Sequence, residues 1–430
     1  MTRYSTMSDY ELNSELARLQ TEFDMVKSQG YALNMARGKP SSGQLDLSMP
    51  MLDLVNSQTD CYSEGGIDCR NYGELSGIPE AKSLMADLID DEPDNVIVYG
   101  SSSLAIMYDT VARLWMFGPR GHRPWSELEQ VKWLCPVPGY DRHFKICETF
   151  GIEMIPVPLN EDGPDMNMIE KLVAKDELIK GIWCVPKYSN PSGVTYSDEV
   201  VDRLAKMKCA AGDFRIFWDN AYAVHHLNDD PAQQDQLKDI GVACREAGNP
   251  DRYFKFCSTS KITFSGAGIA AYASSPANVS EMLKRIGART IGYDKLNQLR
   301  HARFLVDGEG IAKHMTKHAE FLRPRFKAVQ DALNKGGLEE CGCTWTNPRG
   351  GYFISFDGPK GTAKRIVSLA KEAGVILTGA GATWPHGEDP NDSNIRIAPT
   401  YPPLGELKAA MKIFVLCVHI ACVEAELASR

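Results

Sequence analysis

Seven short apolar runs rich in β-branched and aromatic residues constrain this chain more than any other feature. They are Val96–Tyr99, Val131–Leu134, Met154–Val157, Ile182–Val185, Arg215–Trp218, Tyr253–Phe256 and Ile269–Tyr272. Helix-length stretches separate most of them. Strands that alternate with helices require crossover connections, which build a mostly parallel sheet covered on both faces. In such sheets ligands bind beyond the carboxyl ends of the strands. Several runs end in polar or glycine-rich residues: Gly100-Ser101-Ser102-Ser103, Pro138-Gly139-Tyr140, Asn190-Pro191, Asp219-Asn220 and Ser258-Thr259-Ser260-Lys261. One site assembled from many loops is the expectation.

The flanks of this region have another character. Ser8 and Glu11 form a capping box, and Leu12, Leu16, Leu19, Phe23 and Val26 mark one face of an amino-terminal helix that Gly30 ends. Beyond residue 308 a long helix carrying Ala319, Leu322 and Phe326 precedes strand-like Gly351–Phe356, a helix, Val375–Leu377, Asn394–Ile397 and a last helix. That order suits a smaller α+β unit. The expected organisation is an amino-terminal segment (1–48) packed on the small domain, a large domain (49–307) and a small carboxyl-terminal domain (308–430).

Charge and composition exclude several classes. Lys and Arg total 47 against 56 Asp and Glu, a net charge of −9. That balance disfavours nucleic acid or an anionic membrane as partner. The most apolar stretch, Ile413–Val423, contains His419 and falls well short of the ~20 residues a membrane span needs. The amino terminus lacks the apolar region of a secretory signal, and the 12 cysteines sit mostly in apolar runs. Reduced, buried thiols and a cytoplasmic location are expected.

Three loops carry the chemistry. Lys261 follows a strand among hydroxyls and small residues, where a buried amine acquires a lowered pKa and can condense with an aldehyde. Asp219 ends an apolar run, a costly place for an unpaired carboxylate; a turn or helix cap would explain it, as would a protonated pyridine nitrogen. Tyr222 lies three residues on. Asn190-Pro191-Ser192-Gly193 reads as an ordinary turn, or as a rigid loop that presents the Asn190 amide to a phenolate oxygen.

Asn-Pro-x-Gly, Asp-x-x-Tyr and Ser-x-x-Lys in this order resemble the class I aminotransferases of the fold type I pyridoxal phosphate enzymes. The likeness extends to Ala36-Arg37-Gly38-Lys39-Pro40, Tyr72-Gly73, Gly100-Ser101-Ser102, Pro348–Phe353 and Arg396. Pro138–His143 and Asp294–Arg300 are similar to a divergent bacterial subgroup of aspartate aminotransferases, Ic. The resemblance implies an α/β fold with a central, mostly parallel seven-stranded sheet flanked by helices, plus the smaller α+β domain. It implies pyridoxal 5′-phosphate held by Lys261, with Asp219 on the ring nitrogen and Asn190 and Tyr222 on the phenolic oxygen. Tyr140 would stack on the ring and His143 orient Asp219. Ser101, Ser102, Ser258 and Ser260 would hold the phosphate, joined by Tyr72 from the partner of a homodimer with shared active sites. Gly38, Asn190 and Arg396 would line the substrate site, Arg396 gripping the α-carboxylate.

The implied reaction is ping-pong transfer of an amino group from an L-amino acid, foremost L-aspartate, to a 2-oxo acid, foremost 2-oxoglutarate. Alternatives on the same fold are a lyase or decarboxylase, or the effector-sensing domain of a transcription regulator. A second substrate carboxylate needs another cation, for which Arg37, Lys39, Arg142, Arg289 and Arg300 all qualify. One departure stands out: the family's arginine eight positions after the lysine is here Ile269. Ser258, Ser260 and an unassigned cation are the expected replacement.

Two signals are discounted. Gly266–Ala271 spells a dinucleotide fingerprint but leads into strand-like residues instead of opening a helix. His314 and His318 stand one helical turn apart, without the glutamate or third ligand of a zinc site, and read as a solvated helix face. His225-His226 reads as lining the Asp219–Tyr222 loop.

Overall fold

A computed structural model describes residues 2–430. Its centre is an eight-stranded sheet with spatial order Val96–Val98, Ala270–Ala273, Tyr253–Ser258, Arg215–Asp219, Ile179–Cys184, Lys132–Val137, Glu153–Asn160 and Gly163–Pro164. Seven of these are the apolar runs; the eighth is a two-residue hairpin return. The five strands from Tyr253–Ser258 to Glu153–Asn160 run parallel, and Ala270–Ala273 is antiparallel to both its neighbours.

Side-chain alternation explains why both faces are buried. Trp133, Cys135, Trp183, Phe217, Phe254 and Phe256 join one apolar cluster, while Leu134, Ile182, Cys184, Ile216 and Trp218 join the cluster on the other face. A strand covered by helices on both sides has no polar face, so it reads as a continuous apolar run. The chain leaves Lys132–Val137 for one neighbour, Glu153–Asn160, and then crosses to the other, Ile179–Cys184. Such a reversal opens a crevice at the strand ends.

A second, antiparallel sheet runs Thr344–Trp345, Ile354–Asp357, Asn394–Ile397. Leu33–Asn34 pairs in parallel with Val375–Ile376. Leu12, Leu19 and Phe23 of the helix Asp9–Lys27 share one apolar cluster with Leu407, Phe414 and Val418 of the helix Leu404–Ala428. Both ends of the chain therefore share one apolar core, which Val185, Tyr188 and Tyr222 from the loops beyond the large sheet also join. No helix among the described residues is long and apolar enough to cross a membrane. All twelve cysteines are free, and only Cys61 and Cys209 are not fully buried.

The histidine pair is a correction. His314 and His318 lie on the long helix Gly308–Lys335 but are 5 % and 0 % exposed. His314 Nε2 lies 2.9 Å from the Ile262 carbonyl and 3.2 Å from His318 Nε2, and His318 Nδ1 lies 3.2 Å from the Gln44 amide. The helix packs this face beneath the Lys261 loop, so the polar periodicity marks a buried hydrogen-bond network. No cluster of three or more metal-ligating side chains occurs among the described residues.

Candidate active site

Asp219 is the last residue of its strand and is 2 % exposed. Its Oδ2 lies 3.0 Å from His143 Nε2, while its Oδ1 is buried without a hydrogen-bond partner. His143 stacks on Trp183, with centroids 4.5 Å apart and planes at 14°, and meets the edge of Tyr140 at 5.0 Å. The imidazole is thus held on two sides, which fixes the carboxylate and leaves one oxygen for another donor. Tyr140 immediately precedes the helix Asp141–Thr149, and burial raises its phenol pKa to about 12.

Lys261 follows the neighbouring strand in a tight turn that Thr259 stabilises: its carbonyl accepts from Ile262 and Thr263 N–H at 2.9 Å. The Lys261 Nζ lies 4.9 Å from the centre of the Tyr222 ring and 5.9 Å from that of Tyr352. Burial lowers its pKa; Asp219 opposes the shift and Arg396 adds to it. His225, 1 % exposed, lies beneath the turn with Nε2 3.3 Å from the Lys261 carbonyl. Burial holds this histidine well below its ordinary pKa, and the nearby Lys261 charge adds to the effect. It supports the lysine turn as well as lining the loop.

Tyr222 is 3 % exposed and stacks on Tyr352 at 6.0 Å. Burial pushes its phenol pKa well above the ordinary value. The segment bearing Tyr352 is tied down by Gly351 N–H donating to the His225 carbonyl at 2.8 Å and by Leu227 N–H donating to the Arg349 carbonyl at 2.9 Å. These bonds fix the Arg349–Tyr352 segment against the loop that follows Asp219.

Arg396 comes from the strand Asn394–Ile397. Its Nη1 donates to Asn190 Oδ1 at 3.2 Å and to Asp141 Oδ1 at 3.1 Å, and its Nε is buried without a partner. The guanidinium lies 4.9 Å from the centre of the Phe353 ring. Because the Asn190 amide oxygen faces Arg396, its NH₂ group is left to donate elsewhere. Gly38 packs against the tip of the Phe353 ring, where a Cβ would lie 2.2 Å from Cζ. The close approach requires glycine.

Ser101 and Ser102 precede the helix Ser103–Phe117, whose first turn receives no side-chain cap. Its free N–H groups form an anion-attracting end. Ser260 Oγ donates to the Ser101 carbonyl at 3.3 Å, and Ser258 Oγ donates to Ser260 Oγ at 3.0 Å, joining this loop to the lysine loop. Ile269 is 2 % exposed within an apolar cluster and adds no charge. Tyr72 is 81 % exposed on the single chain.

The sequence reading missed Trp183 beneath His143, Asp141 against Arg396 and Phe353 between Gly38 and Arg396. Only Asp141 had a local signal, a carboxylate opening the helix after a strand-end loop. Of the cations considered for a second substrate carboxylate, Arg289 pairs with Asp109, and Lys39 lies over the Tyr401 ring at 4.1 Å.

The family model described as aspartate amino-transferase matches residues 7–430. The chain is 45 % identical over 433 residues to an aspartate aminotransferase of Corynebacterium glutamicum, covering 99 % of each protein. It superposes on the crystal structure of an aspartate transaminase from that organism with a TM-score of 0.95 and 44 % identity, covering 99 % of both chains. A kynurenine aminotransferase of Pyrococcus horikoshii, solved in complex with PMP, gives a TM-score of 0.74 at 20 % identity, covering 96 % of this chain and 95 % of that one.

Proposed function

The chain belongs to the aspartate aminotransferase family, and we propose that, as a pyridoxal 5′-phosphate-dependent aminotransferase, it exchanges amino groups between L-aspartate and 2-oxoglutarate through the side chains around Lys261. The observation that carries the assignment to this site is the Lys261–Asp219 pair: a partly buried lysine whose amine pKa burial lowers, within electrostatic reach of a buried carboxylate with one unpartnered oxygen. The residues fit the cofactor. Asp219 Oδ1 is an acceptor awaiting a buried N–H, as a protonated pyridine nitrogen supplies, and the uncapped helix end behind Ser102 suits a phosphate.

Bound there, pyridoxal phosphate supplies a conjugated ring that takes up the electron pair released at the substrate Cα. Lys261 Nζ would hold the cofactor and, when free, would take the proton from the substrate Cα and give it back as general base and acid. Asp219, oriented by His143, keeps the ring nitrogen protonated. Tyr222 and the free NH₂ of Asn190 serve the phenolic oxygen, and Tyr140 covers the ring. Ser101, Ser102, Ser258 and Ser260 serve the phosphate. Arg396, backed by Phe353 and beside Gly38, receives the α-carboxylate that donor and acceptor share.

The same proposal includes a cytoplasmic homodimer whose Tyr72 reaches the partner's site; its 81 % exposure on the single chain supports that role. It also assigns residues 1–48 and 308–430 to a small domain and 49–307 to a large one, as the shared core of the two chain ends supports.

The test is an absorbance scan of holoenzyme against a panel of amino acids. L-Aspartate is expected to convert the cofactor to its pyridoxamine form, and 2-oxoglutarate to restore it. Release of carbon dioxide or ammonia without that conversion would reassign the chemistry to a decarboxylase or lyase.

A further inference from the structure

A phosphate monoester carries a charge of about −1.5 to −2 at pH 7, whereas a helix end offers roughly half a positive charge. Hydroxyls add dipoles but no charge. A cation is therefore needed near Ser101 and Ser260. Among the basic residues of the adjoining segments, Arg285 pairs with Glu281, Arg289 with Asp109 and Arg303 with Asp60. Lys295 is buried and donates to the Gly73 carbonyl at 3.2 Å.

Arg300 is different. It lies on the helix Lys295–Leu305, which packs directly on the lysine loop: Asn297 Nδ2 donates to the Ala267 and Gly268 carbonyls at 3.0 Å, and His301 Nε2 lies 3.2 Å from Thr259 Oγ1. None of the ion pairs among the described residues involves Arg300, and its Nε is buried without a partner. It lines a cavity of about 340 Å³ together with Ser101, Gly266 and Tyr293. The Tyr293 hydroxyl is also buried and unpartnered. Asp294, the carboxylate on the same wall, accepts from Asn297 N–H at 2.9 Å and caps the helix.

We propose that Arg300, assisted by the Tyr293 hydroxyl, supplies the positive charge that receives the cofactor's phosphate. A guanidinium can meet two phosphate oxygens at once, and the only carboxylate lining this cavity is engaged in capping. The assignment places the charge on a helix facing the lysine loop instead of at the start of the strand that follows it, where the buried Ile269 gives the cavity wall an uncharged side chain.

This inference rests on the pyridoxal phosphate reading, and the experiment separates the two. Resolved full-length enzyme is titrated with pyridoxal phosphate and with pyridoxal, which lacks the phosphate. Arg300→Gln is expected to weaken pyridoxal phosphate binding by about 10- to 100-fold, the range of a lost hydrogen bond to a charged group, and to leave pyridoxal binding within about twofold. Arg300→Lys, which keeps the charge and guards against misfolding of the first variant, should lie between, because a lysine offers no bidentate fork. Equal losses for both ligands, or unchanged pyridoxal phosphate affinity in both variants, would overturn the role of Arg300. Failure of the unsubstituted enzyme to bind pyridoxal phosphate would instead overturn the functional reading beneath it.

Discussion

Gly38→Ala tests whether the substrate grip depends on one packed contact. The new Cβ would stand 2.2 Å from Phe353 Cζ and 2.4 Å from Cε1. An ordinary carbon contact begins near 3.5 Å, so the ring must retreat by roughly 1 Å. It has little room: Phe353 is 6 % exposed, meets Tyr222 edge-on at 6.4 Å and lies under the Arg396 guanidinium at 4.9 Å. Overpacking of this kind costs about 1–3 kcal/mol of stability. Displacing Arg396 by a comparable distance should lower kcat/KM by about 10- to 100-fold. Because donor and acceptor share the α-carboxylate, KM should rise for both. Steady-state kinetics with each substrate varied, together with urea denaturation, measure the two effects. Wild-type stability with both KM values within twofold would refute the packing argument.

Asp141→Asn removes a carboxylate that competes with substrate for Arg396; a partly exposed pair of this kind is worth about 0.2–1 kcal/mol, so KM for both substrates should fall up to about fivefold. A rise in KM would show that Asp141 positions the guanidinium instead. Asp219→Asn should weaken pyridoxal phosphate binding by about 10- to 100-fold, measured by titration of resolved enzyme; unchanged affinity would count against the ring-nitrogen contact. Acid unfolding follows from the buried histidines. Burial holds His301 and His226 near pKa 4, against an ordinary 6.5, although a backbone carbonyl of Asn297 partly supports the His301 charge. The unfolded chain therefore binds protons first, and each histidine's contribution is complete above pH 6.5 and is lost as pH falls from 6.5 towards 4. For the fully buried His301 the loss reaches about 3 kcal/mol; His301→Asn should flatten the stability profile across that window, and an unaltered slope in urea melts would refute the assignment.

The large sheet was legible because a strand buried on both faces announces itself as an apolar run with local punctuation. Asp219, Lys261 and Asn190 were legible for related reasons: Asp219 ends such a run, and Lys261 and Asn190 lie in the loops that follow two others, at the end where a parallel sheet binds its ligands. The strand order was not, since crossovers leave no mark on which neighbour a strand takes. Nor were contacts that join distant segments. Trp183 stacks on a histidine forty residues earlier, Phe353 bridges Gly38 and Arg396, and Arg396 meets Asp141. His314 and His318 were misread because one helical turn of polar residues looks solvated unless the neighbouring turn is known. The Ile269 departure was plain in sequence, but its compensation required seeing which nearby cations already had partners.

Lys261 is the residue proposed to move the proton that lets an amino group pass from one acid to another. Transfer of ¹⁵N from labelled L-aspartate to 2-oxoglutarate, followed by mass spectrometry over many turnovers, tests this role in the unsubstituted enzyme and in Lys261→Ala. Labelled glutamate is expected from the unsubstituted enzyme and none above background from a Lys261→Ala protein that remains folded. Sustained transfer by the variant without added amine, or no transfer by the cofactor-loaded unsubstituted enzyme, would contradict it.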